Sequence, residues 1–236
     1  MYRNFIVVVL CCCTIRIGSD SRIHFNVAML DSELIPAADK TSKCLMIALH
    51  GLGDSATGYE WLPSAMKLPW LNYLLVNAPD SYYGGYSWYD FPGDPSNGIR
   101  RSRALLVDLL DALRAKGFAT EQTVLFGFSQ GCLMTLDVGF RYPHRFGGLM
   151  GVSGYVHEPA KLLAERSPVA KEQRMLFTHG TNDPLIPCAE VRKQVEQLKA
   201  AGLQIDWREF TKEHTIAGEE ELSIIRSFVV DCLRGA

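Results

Sequence analysis

Apolar residues are distributed along the chain in two ways, as short unbroken runs and as longer stretches at helical spacing. Almost unbroken apolar runs are typical of parallel strands that are buried on both faces. Such runs lie at 44–49, 73–77, 123–126, 146–152 and 175–177. Amphipathic helices are indicated at 97–116, 188–201 and 220–233. Strands that alternate with helices predict a single α/β domain at 21–236, in which a mostly parallel sheet is covered by helices on both faces.

A serine flanked by glycines follows the run at 123–126 and precedes a helix-compatible segment. The five residues are Gly127-Phe128-Ser129-Gln130-Gly131. Between a strand and a helix, this G-x-S-x-G pattern is that of a nucleophile elbow, in which a tight, strained turn projects the serine hydroxyl above the sheet. The same spacing also occurs in ordinary strand-to-helix turns, so the prediction that Ser129 is a nucleophile depends on partners elsewhere in the chain.

An acid and a base follow the serine in the order Ser, Asp, His, which one architecture of serine hydrolases uses. Asp183 lies in a loop rich in Gly, Asn and Pro that leaves the run at 175–177. His214 follows the strand-like stretch 203–210. Ligands gather at the carboxyl ends of the strands in an open α/β sheet. We therefore expect Asp183 to orient His214, and His214 to take the proton of Ser129.

The other histidines and acids of the chain are weaker candidates. His144 and His157 lie in polar loops and precede the acid, and His179 lies at a strand end, where we expect it to brace the loop. Asp54 and Asp90 are more typical of turns and helix caps. The acid and the base named above are therefore preferred.

A glycine-containing loop follows the run at 44–49 and suits an oxyanion hole. It reads His50-Gly51-Leu52-Gly53-Asp54. Its glycines allow the backbone to turn an N–H group toward a reacting oxygen, and the Leu52 N–H is the candidate donor. The second donor is the N–H of Gln130, directly after the nucleophile. The side chain of His50 is expected to hold the loop by hydrogen bonds.

Four motifs in this order resemble those of the phospholipase/carboxylesterase family, which includes the acyl-protein thioesterases. They are the loop at 49–54, the elbow at 127–131, the acid loop at 179–187 and the histidine loop at 211–216. The resemblance extends over residues 43–233 and implies an α/β-hydrolase fold that uses no cofactor. The residues that it implies are Ser129, Asp183 and His214 as the catalytic triad and Leu52 and Gln130 as the oxyanion-hole donors.

Three further positions bear on the resemblance. Cys132 and Glu213 stand where the family commonly has glycine, the first after the elbow and the second directly before the histidine. Trp88 lies in an aromatic segment at 81–91 that resembles the part of the family whose tryptophan borders the active site. Trp88 is therefore expected to border the substrate pocket. The alternative is that these rings cover the sheet edges and never touch substrate.

The amino-acid composition of the chain disfavours several classes of function. With 236 residues, of which 47% are hydrophobic and 21% charged, the chain can bury a core without disulfide or metal staples. A net charge of −2 gives no reason to expect binding to nucleic acid. The seven cysteines, three of them contiguous, do not have the spacing of a disulfide framework or a zinc site. The segment between residues 152 and 175 is too short for a lid domain.

Residues 1–20 form an N-terminal extension that can be read in more than one way. An apolar run at 5–13 has the length of a signal-peptide core and is too short to span a bilayer, and no clear cleavage site follows it. A strand or a disordered extension is an equal alternative. We expect a cytoplasmic enzyme without stable membrane insertion, with export as the alternative.

These features together predict a serine carboxylesterase that cleaves esters or thioesters of small molecules or acyl chains through an acyl-serine intermediate, without cofactor or metal. Acyl-protein thioesterase or lysophospholipase activity is the alternative, because these reactions share the same acyl-transfer steps. A catalytically silent binding protein of the same fold is less favoured, since the nucleophile is intact. The sequence leaves the oligomeric state open.

Overall fold

The structure, a computed structural model, describes residues 8–10, 13–17, 23–27 and 30–234. The strands are β1 (Val8–Leu10), β2 (Cys13–Ile17), β3 (Ile23–Val27), β4 (Leu30–Ile35), β5 (Leu45–Leu49), β6 (Asn72–Val76), β7 (Asp80–Tyr82), β8 (Gly85–Ser87), β9 (Thr123–Phe128), β10 (Gly148–Val152), β11 (Arg174–Gly180) and β12 (Gln204–Phe210). The α-helices are α1 (Leu62–Met66), α2 (Ser96–Ala115), α3 (Gln130–Gly139), α4 (Pro159–Glu165), α5 (Cys188–Ala200) and α6 (Gly218–Arg234). Short 3₁₀ turns lie at Ala56–Tyr59, Thr120–Gln122 and Pro168–Glu172.

Ten strands of the described chain form one sheet, in the order β1-β2-β3-β4-β6-β5-β9-β10-β11-β12. The strands from β6 to β12 in this order run parallel, whereas β1 to β4 pair antiparallel and join β6 through β4. Every residue of β5, β6 and β10 is buried, as expected of parallel strands covered on both faces. The predicted mostly parallel sheet is therefore confirmed.

Helices cover both faces of this sheet, also as predicted. On one face, Leu106 of α2, Leu133 of α3 and Val191 of α5 belong to one buried apolar cluster. On the other face, Leu62 of α1 and Val229 of α6 belong to a second cluster. Each amphipathic helix thus buries its apolar side against the sheet, and the sheet is the shared centre of both cores.

Some elements differ from the predicted pattern. The strand predicted from residue 146 begins at Gly148, and the helix predicted from residue 220 begins at Gly218. The aromatic segment at 81–91 contains most of a hairpin, β7 paired with β8, that no alternating pattern indicated. The connection from β10 to β11 holds α4 and a 3₁₀ turn. This agrees with the expectation that no lid domain fits there.

The N-terminal apolar run at 5–13 is described only in part. Val8–Leu10 forms β1, and Cys13 begins β2, at the antiparallel edge of the sheet. The remaining positions of the run lie outside the described residues, as does most of the segment on which the signal-peptide hypothesis rests. Among the residues that the structure describes, no helix combines the length and the apolar character that a membrane span requires.

Helix α3 approaches the sheet so closely that two positions require glycine. A Cβ on Gly131 would overlap the backbone oxygen of Leu49, and a Cβ on Gly127 would overlap the backbone oxygen of Gly131. Both obstacles are backbone atoms, which cannot rotate aside as a flexible side chain can. The two glycines therefore allow the first turn of α3 to pack directly on the ends of β5 and β9.

The substitution Gly131→Ala is expected to lower the free energy of unfolding by about 3 kcal/mol, at the upper end of the usual cost of overpacking, because the overlap must be relieved by moving backbone. Urea denaturation followed by circular dichroism measures the change. Gly117→Ala is the control: Gly117 has a left-handed φ of 85° with no atom near its Cβ, so its cost is limited to about 1–2 kcal/mol of backbone strain. Equal losses in the two variants would contradict the close approach of α3.

Candidate active site

Ser129 occupies the turn between β9 and α3 with a strained backbone, φ 54° and ψ −115°. A positive φ is unfavourable for a residue with a Cβ and persists only where the surroundings hold it. Here the Ser129 N–H donates to the backbone oxygen of Val152 at 2.9 Å, and the Ser129 oxygen accepts from the N–H of Leu133 at 3.2 Å. The turn is fixed between β10 and α3 in the geometry predicted for a nucleophile elbow.

Ser129, His214 and Asp183 form one hydrogen-bonded chain at the carboxyl edge of the sheet. The distance from Ser129 Oγ to His214 Nε2 is 2.9 Å, and that from His214 Nδ1 to Asp183 Oδ2 is 2.7 Å. An ionised carboxylate can only accept, so Nδ1 carries the proton and Nε2 accepts from the serine hydroxyl. The structure thus brings together the three residues that the sequence suggested as nucleophile, base and acid.

The Asp183 carboxylate is buried and surrounded by donors. Its Oδ1 accepts the backbone N–H groups of Leu185 and Ile186, both at 2.9 Å, and its Oδ2 accepts from His214. Burial raises the pKa of Asp183, but the hydrogen bonds from these three residues outweigh it, so the pKa lies below the usual value of an aspartic acid. Asp183 is therefore ionised at neutral pH and can hold His214 in one tautomer.

His179 is buried behind the acid and braces the acid loop. Its Nε2 donates to the backbone oxygen of Ile186 at 2.9 Å and lies 3.9 Å from Asp183 Oδ2. Its ring stacks on Trp207 with 5.7 Å between ring centroids. Burial lowers the pKa of His179, so the ring is neutral near pH 7. These contacts agree with the bracing role predicted for His179.

The two other candidate bases lie elsewhere. The ring of His144 packs on Tyr142, with 5.3 Å between ring centroids. The Nε2 of His157 lies 3.3 Å from the hydroxyl of Ser96. The structure brings neither histidine into the hydrogen-bonded chain of Ser129.

The loop after β5 is held by the buried side chain of His50. His50 Nδ1 donates to the oxygen of Gly51 at 2.6 Å, and Nε2 accepts the N–H of Ala78 at 3.0 Å. Burial lowers the pKa of His50, which favours the neutral ring that these two bonds require. The contacts agree with the structural role that the sequence suggested for this histidine.

The two predicted oxyanion-hole residues lie in the wall of a cavity beside Ser129. Leu52 belongs to the loop after β5, and Gln130 is the first residue of α3. N–H groups in the first turn of a helix have no acceptor within the helix, and they carry the positive end of its dipole. The Gln130 N–H is therefore suited to an oxygen that gains negative charge.

The Gln130 side chain has a role that no sequence pattern indicated. Its Oε1 accepts the N–H of Trp88 at 2.9 Å and the hydroxyl of Ser87 at 3.2 Å, and its Nε2 donates to the oxygen of Tyr89 at 3.1 Å. The buried amide thereby fixes the aromatic segment to the start of α3. The one sequence feature that pointed to this role was the glutamine directly after the nucleophile. A sequence does not show which distant backbone groups a side-chain amide will bind.

Trp88 does not line the cavity, which corrects the expectation that it borders the substrate pocket. Its ring is fully buried, and its Nε1 donates to the oxygen of His50 at 2.9 Å. A large ring whose N–H group finds an acceptor within the core gains more from burial than from partial exposure. The next aromatic residues, Tyr89 and Phe91, line the cavity instead.

A cavity of about 590 Å³ opens beside Ser129 and His214. Its wall is mostly apolar, and its apolar side chains include Leu52, Phe91, Phe128, Leu185, Ile186 and Val191. Phe91 and Leu185 are 62% and 70% exposed, so they lie at the mouth. Such a cavity can hold an acyl chain while the alcohol or thiol part stays outside. Among the described residues, no three His, Cys, Asp or Glu side chains are grouped as metal ligands.

The two departures from the family pattern are accommodated locally. The Cys132 thiol is fully buried against Gly151 and Gly154, and burial raises the pKa of that thiol. Glu213 is exposed, and its backbone does not adopt the left-handed conformation that would favour glycine. Neither position therefore disturbs the hydrogen bonds of His214.

The chain is similar to known hydrolases over most of its length. Residues 30–233 match a family model described as phospholipase/carboxylesterase. The acyl-protein thioesterase 1 of Schizosaccharomyces pombe is 35% identical over 174 residues, which cover 68% of this chain and 77% of that protein. The acyl-protein thioesterase 1 of Gibberella zeae is 25% identical over 221 residues, which cover 83% of this chain and 93% of that protein.

Solved structures agree with this relationship. The crystal structure of esterase PE8 has a TM-score of 0.74 at 28% identity and covers 85% of this chain and 97% of its own. The crystal structure of Arabidopsis thaliana SOBER1 has a TM-score of 0.74 at 26% identity and covers 80% of this chain and 99% of its own. The resemblance carried by the four motifs is therefore confirmed. The chain belongs to the phospholipase/carboxylesterase family of α/β-hydrolases and is a hydrolase of the esterase and thioesterase type.

Proposed function

We propose that Ser129, His214 and Asp183 are the catalytic triad of a serine carboxylesterase, which hydrolyses carboxylic esters or thioesters through an acyl-serine intermediate. The observation that carries the proposal is the hydrogen-bonded chain from Ser129 Oγ through the imidazole to Asp183, at 2.9 Å and 2.7 Å. This chain ends beside an open apolar cavity. A strained serine with a neutral imidazole as its acceptor is the arrangement that nucleophilic acyl transfer requires.

In the first half of the reaction, His214 Nε2 takes the proton of Ser129 Oγ while the oxygen attacks the acyl carbonyl. Asp183 stabilises the imidazolium that forms, and it holds the Nδ1 proton throughout. The carbonyl oxygen becomes an oxyanion facing the N–H groups of Leu52 and Gln130. Each of these donors is expected to stabilise the transition state by about 3 kcal/mol. His214 then gives its proton to the leaving alcohol or thiol, and the acyl group remains on Ser129.

In the second half, His214 deprotonates a water molecule that attacks the acyl-serine. The same two N–H groups stabilise the second oxyanion, and His214 returns a proton to Ser129 as the carboxylic acid leaves. Every step is acid–base and nucleophilic chemistry of these side chains, so the reaction as proposed uses no cofactor and no metal.

The substrate is proposed to be an acyl ester or thioester whose leaving part is outside the cavity. Support comes from the apolar wall and from the mouth at Phe91 and Leu185. Acyl-protein thioesterase activity is the second candidate, and the names of the fungal relatives favour it. Lysophospholipid hydrolysis follows the same chemistry. A cytoplasmic location remains a prediction.

Ser129→Ala is expected to abolish hydrolysis of p-nitrophenyl butyrate and labelling by a fluorophosphonate probe, because the nucleophile is gone. Steady-state kinetics and gel fluorescence measure the two effects. Ser153→Ala is the matched control, since Ser153 also has a left-handed φ, 50°, and also directly follows a strand of the same sheet. It should retain activity and labelling. A folded wild type that is neither labelled nor active on esters or thioesters would instead favour a silent binding protein.

Asp183→Asn is expected to lower kcat by about 10⁴-fold, because an amide in place of the carboxylate donates to Nδ1 and favours the tautomer that cannot accept the serine proton. The KM should change little, because Asp183 is not in the cavity wall. Asp206→Asn, which removes an exposed partner of Arg208, serves as the control. A kcat for Asp183→Asn within tenfold of the wild type would argue against Asp183 as the triad acid.

Phe91→Ala is expected to lower kcat/KM for octanoyl esters about fivefold and to leave acetyl esters unchanged, since only the longer chain reaches the mouth of the cavity. A loss of about 1 kcal/mol of apolar contact gives this factor. A series of p-nitrophenyl esters of increasing chain length measures it. Tyr83→Ala is the control, because Tyr83 is 95% exposed and does not line the cavity. An equal loss on acetyl esters would show that Phe91 does not sense chain length.

A further inference from the structure

Lys212 and Glu221 form a buried ion pair beside the histidine loop. Lys212 Nζ lies 2.6 Å and 2.8 Å from the two carboxylate oxygens of Glu221. Lys212 is 6% exposed and Glu221 is fully buried. Removing two charges from water costs several kcal/mol per ion, so such a pair is weak evidence for a contribution to stability. Its position relative to His214 suggests another use.

The Glu221 carboxylate holds the chain on both sides of His214. Lys212 precedes the histidine, and its ammonium group reaches the carboxylate directly. Ala217 follows the histidine, and its N–H donates to Glu221 Oε2 at 2.6 Å. Glu221 itself is fixed in α6. One carboxylate on a helix thus joins the two arms of the loop that carries His214.

The same stretch is bonded to the acid loop. The Asn182 N–H donates to the oxygen of Lys212 at 3.1 Å, and the Thr181 N–H donates to the oxygen of Phe210 at 2.9 Å. A Cβ on Gly180 would overlap the Lys212 oxygen, so glycine is required where the two loops run side by side. A displacement of Lys212 would therefore shift the base relative to the acid.

The outer side of the histidine loop offers little to hold it in place. Glu213 and Thr215 are exposed, and the Thr215 N–H donates to the oxygen of Glu213 at 2.9 Å within the loop itself. The contacts that tie the loop to the core lie on its inner side, where the ion pair is. The pKa of Lys212 is lowered by burial, and the charge of Glu221 opposes this.

We propose that Lys212 and Glu221 are positioning residues that keep His214 within hydrogen-bond distance of Ser129 and Asp183. The inference rests on the proposed triad. It assigns to this pair the role of fixing the loop that carries His214. A misplacement of the base by about 1 Å can cost a factor of about 10² in rate, so the pair acts on turnover without touching substrate.

Glu221→Ala removes the acceptor of both arms and is expected to lower kcat about 30-fold while KM changes less than threefold. Lys212→Met removes one arm and leaves the bond from Ala217, so its expected loss of kcat is about fivefold. The rate at which a fluorophosphonate labels Ser129 should fall in parallel, because labelling needs His214 as the base but no acyl group in the cavity. Hydrolysis of p-nitrophenyl butyrate and time-resolved labelling are measured below the unfolding temperature of each variant.

Asp137→Asn is the matched control for loss of a buried ion pair. Asp137 is also buried, and it pairs with Arg141 and Arg103, away from the histidine loop. This variant is expected to lower the unfolding temperature but to keep kcat and the labelling rate within twofold of the wild type. If it lost as much activity as Glu221→Ala, the effect would be one of general stability and the positioning role would be overturned.

Glu221→Gln and the double variant Lys212→Met/Glu221→Gln test the same role with less disturbance of the fold. The glutamine oxygen can still accept the Ala217 N–H, and the double variant leaves no unpaired buried charge, so its kcat is expected to exceed that of Glu221→Gln alone. Folded Glu221 variants that label and turn over at the wild-type rate would refute the positioning role and leave the triad proposal intact. Activity retained by Ser129→Ala would refute the proposed function itself.

Discussion

The parallel pairing of neighbouring strands is the constraint on which the site depends. Phe128 of β9 pairs with Val152 of β10, Val152 pairs with Thr178 of β11, and Gly180 of β11 pairs with Phe210 of β12. The chain therefore leaves the sheet at one edge just before the serine, the acid and the histidine. Residues far apart in sequence come within hydrogen-bond distance because the register of three strand pairs places them there.

Buried hydrogen bonds convert this rough proximity into a defined geometry. The acid loop is fixed through His179, the loop after β5 through His50, and the aromatic segment through Gln130. Each of these side chains is buried and makes at least one hydrogen bond to backbone, and leaving such a buried group unpaired would cost about 1–3 kcal/mol. The same bonds that satisfy the buried groups therefore fix the loops. A neutral ring at His50 and at His179 suits this task, because burial disfavours the charged form.

Sequence patterns predicted the parts of the molecule that depend on local chemistry. Apolar runs predict buried strands because a strand covered on both faces must be apolar throughout. The elbow can be recognised because its tight turn requires glycines at fixed positions around the serine. The prediction that Trp88 borders the substrate pocket was wrong, because a sequence shows that a loop contains an aromatic ring but not whether that ring faces the cavity or the core. The hairpin of β7 and β8 lacked the alternation by which strands are recognised. No sequence pattern indicated that Lys212 pairs with Glu221, since pairing across a loop depends on the tertiary structure.

The acid loop and one wall of the cavity belong to a single stretch of chain. Leu185 and Ile186 lie two and three residues after Asp183, and α5 then adds Val191 to the cavity wall. Leu52 and Phe91 also line the cavity, but they lie on two other loops. Substitutions between Leu185 and α5 that change the acyl preference would therefore disturb Asp183. Substitutions in the other two loops would leave Asp183 in place. Diversification of substrate range within such a scaffold is accordingly expected to concentrate in the loops that follow β5 and β8.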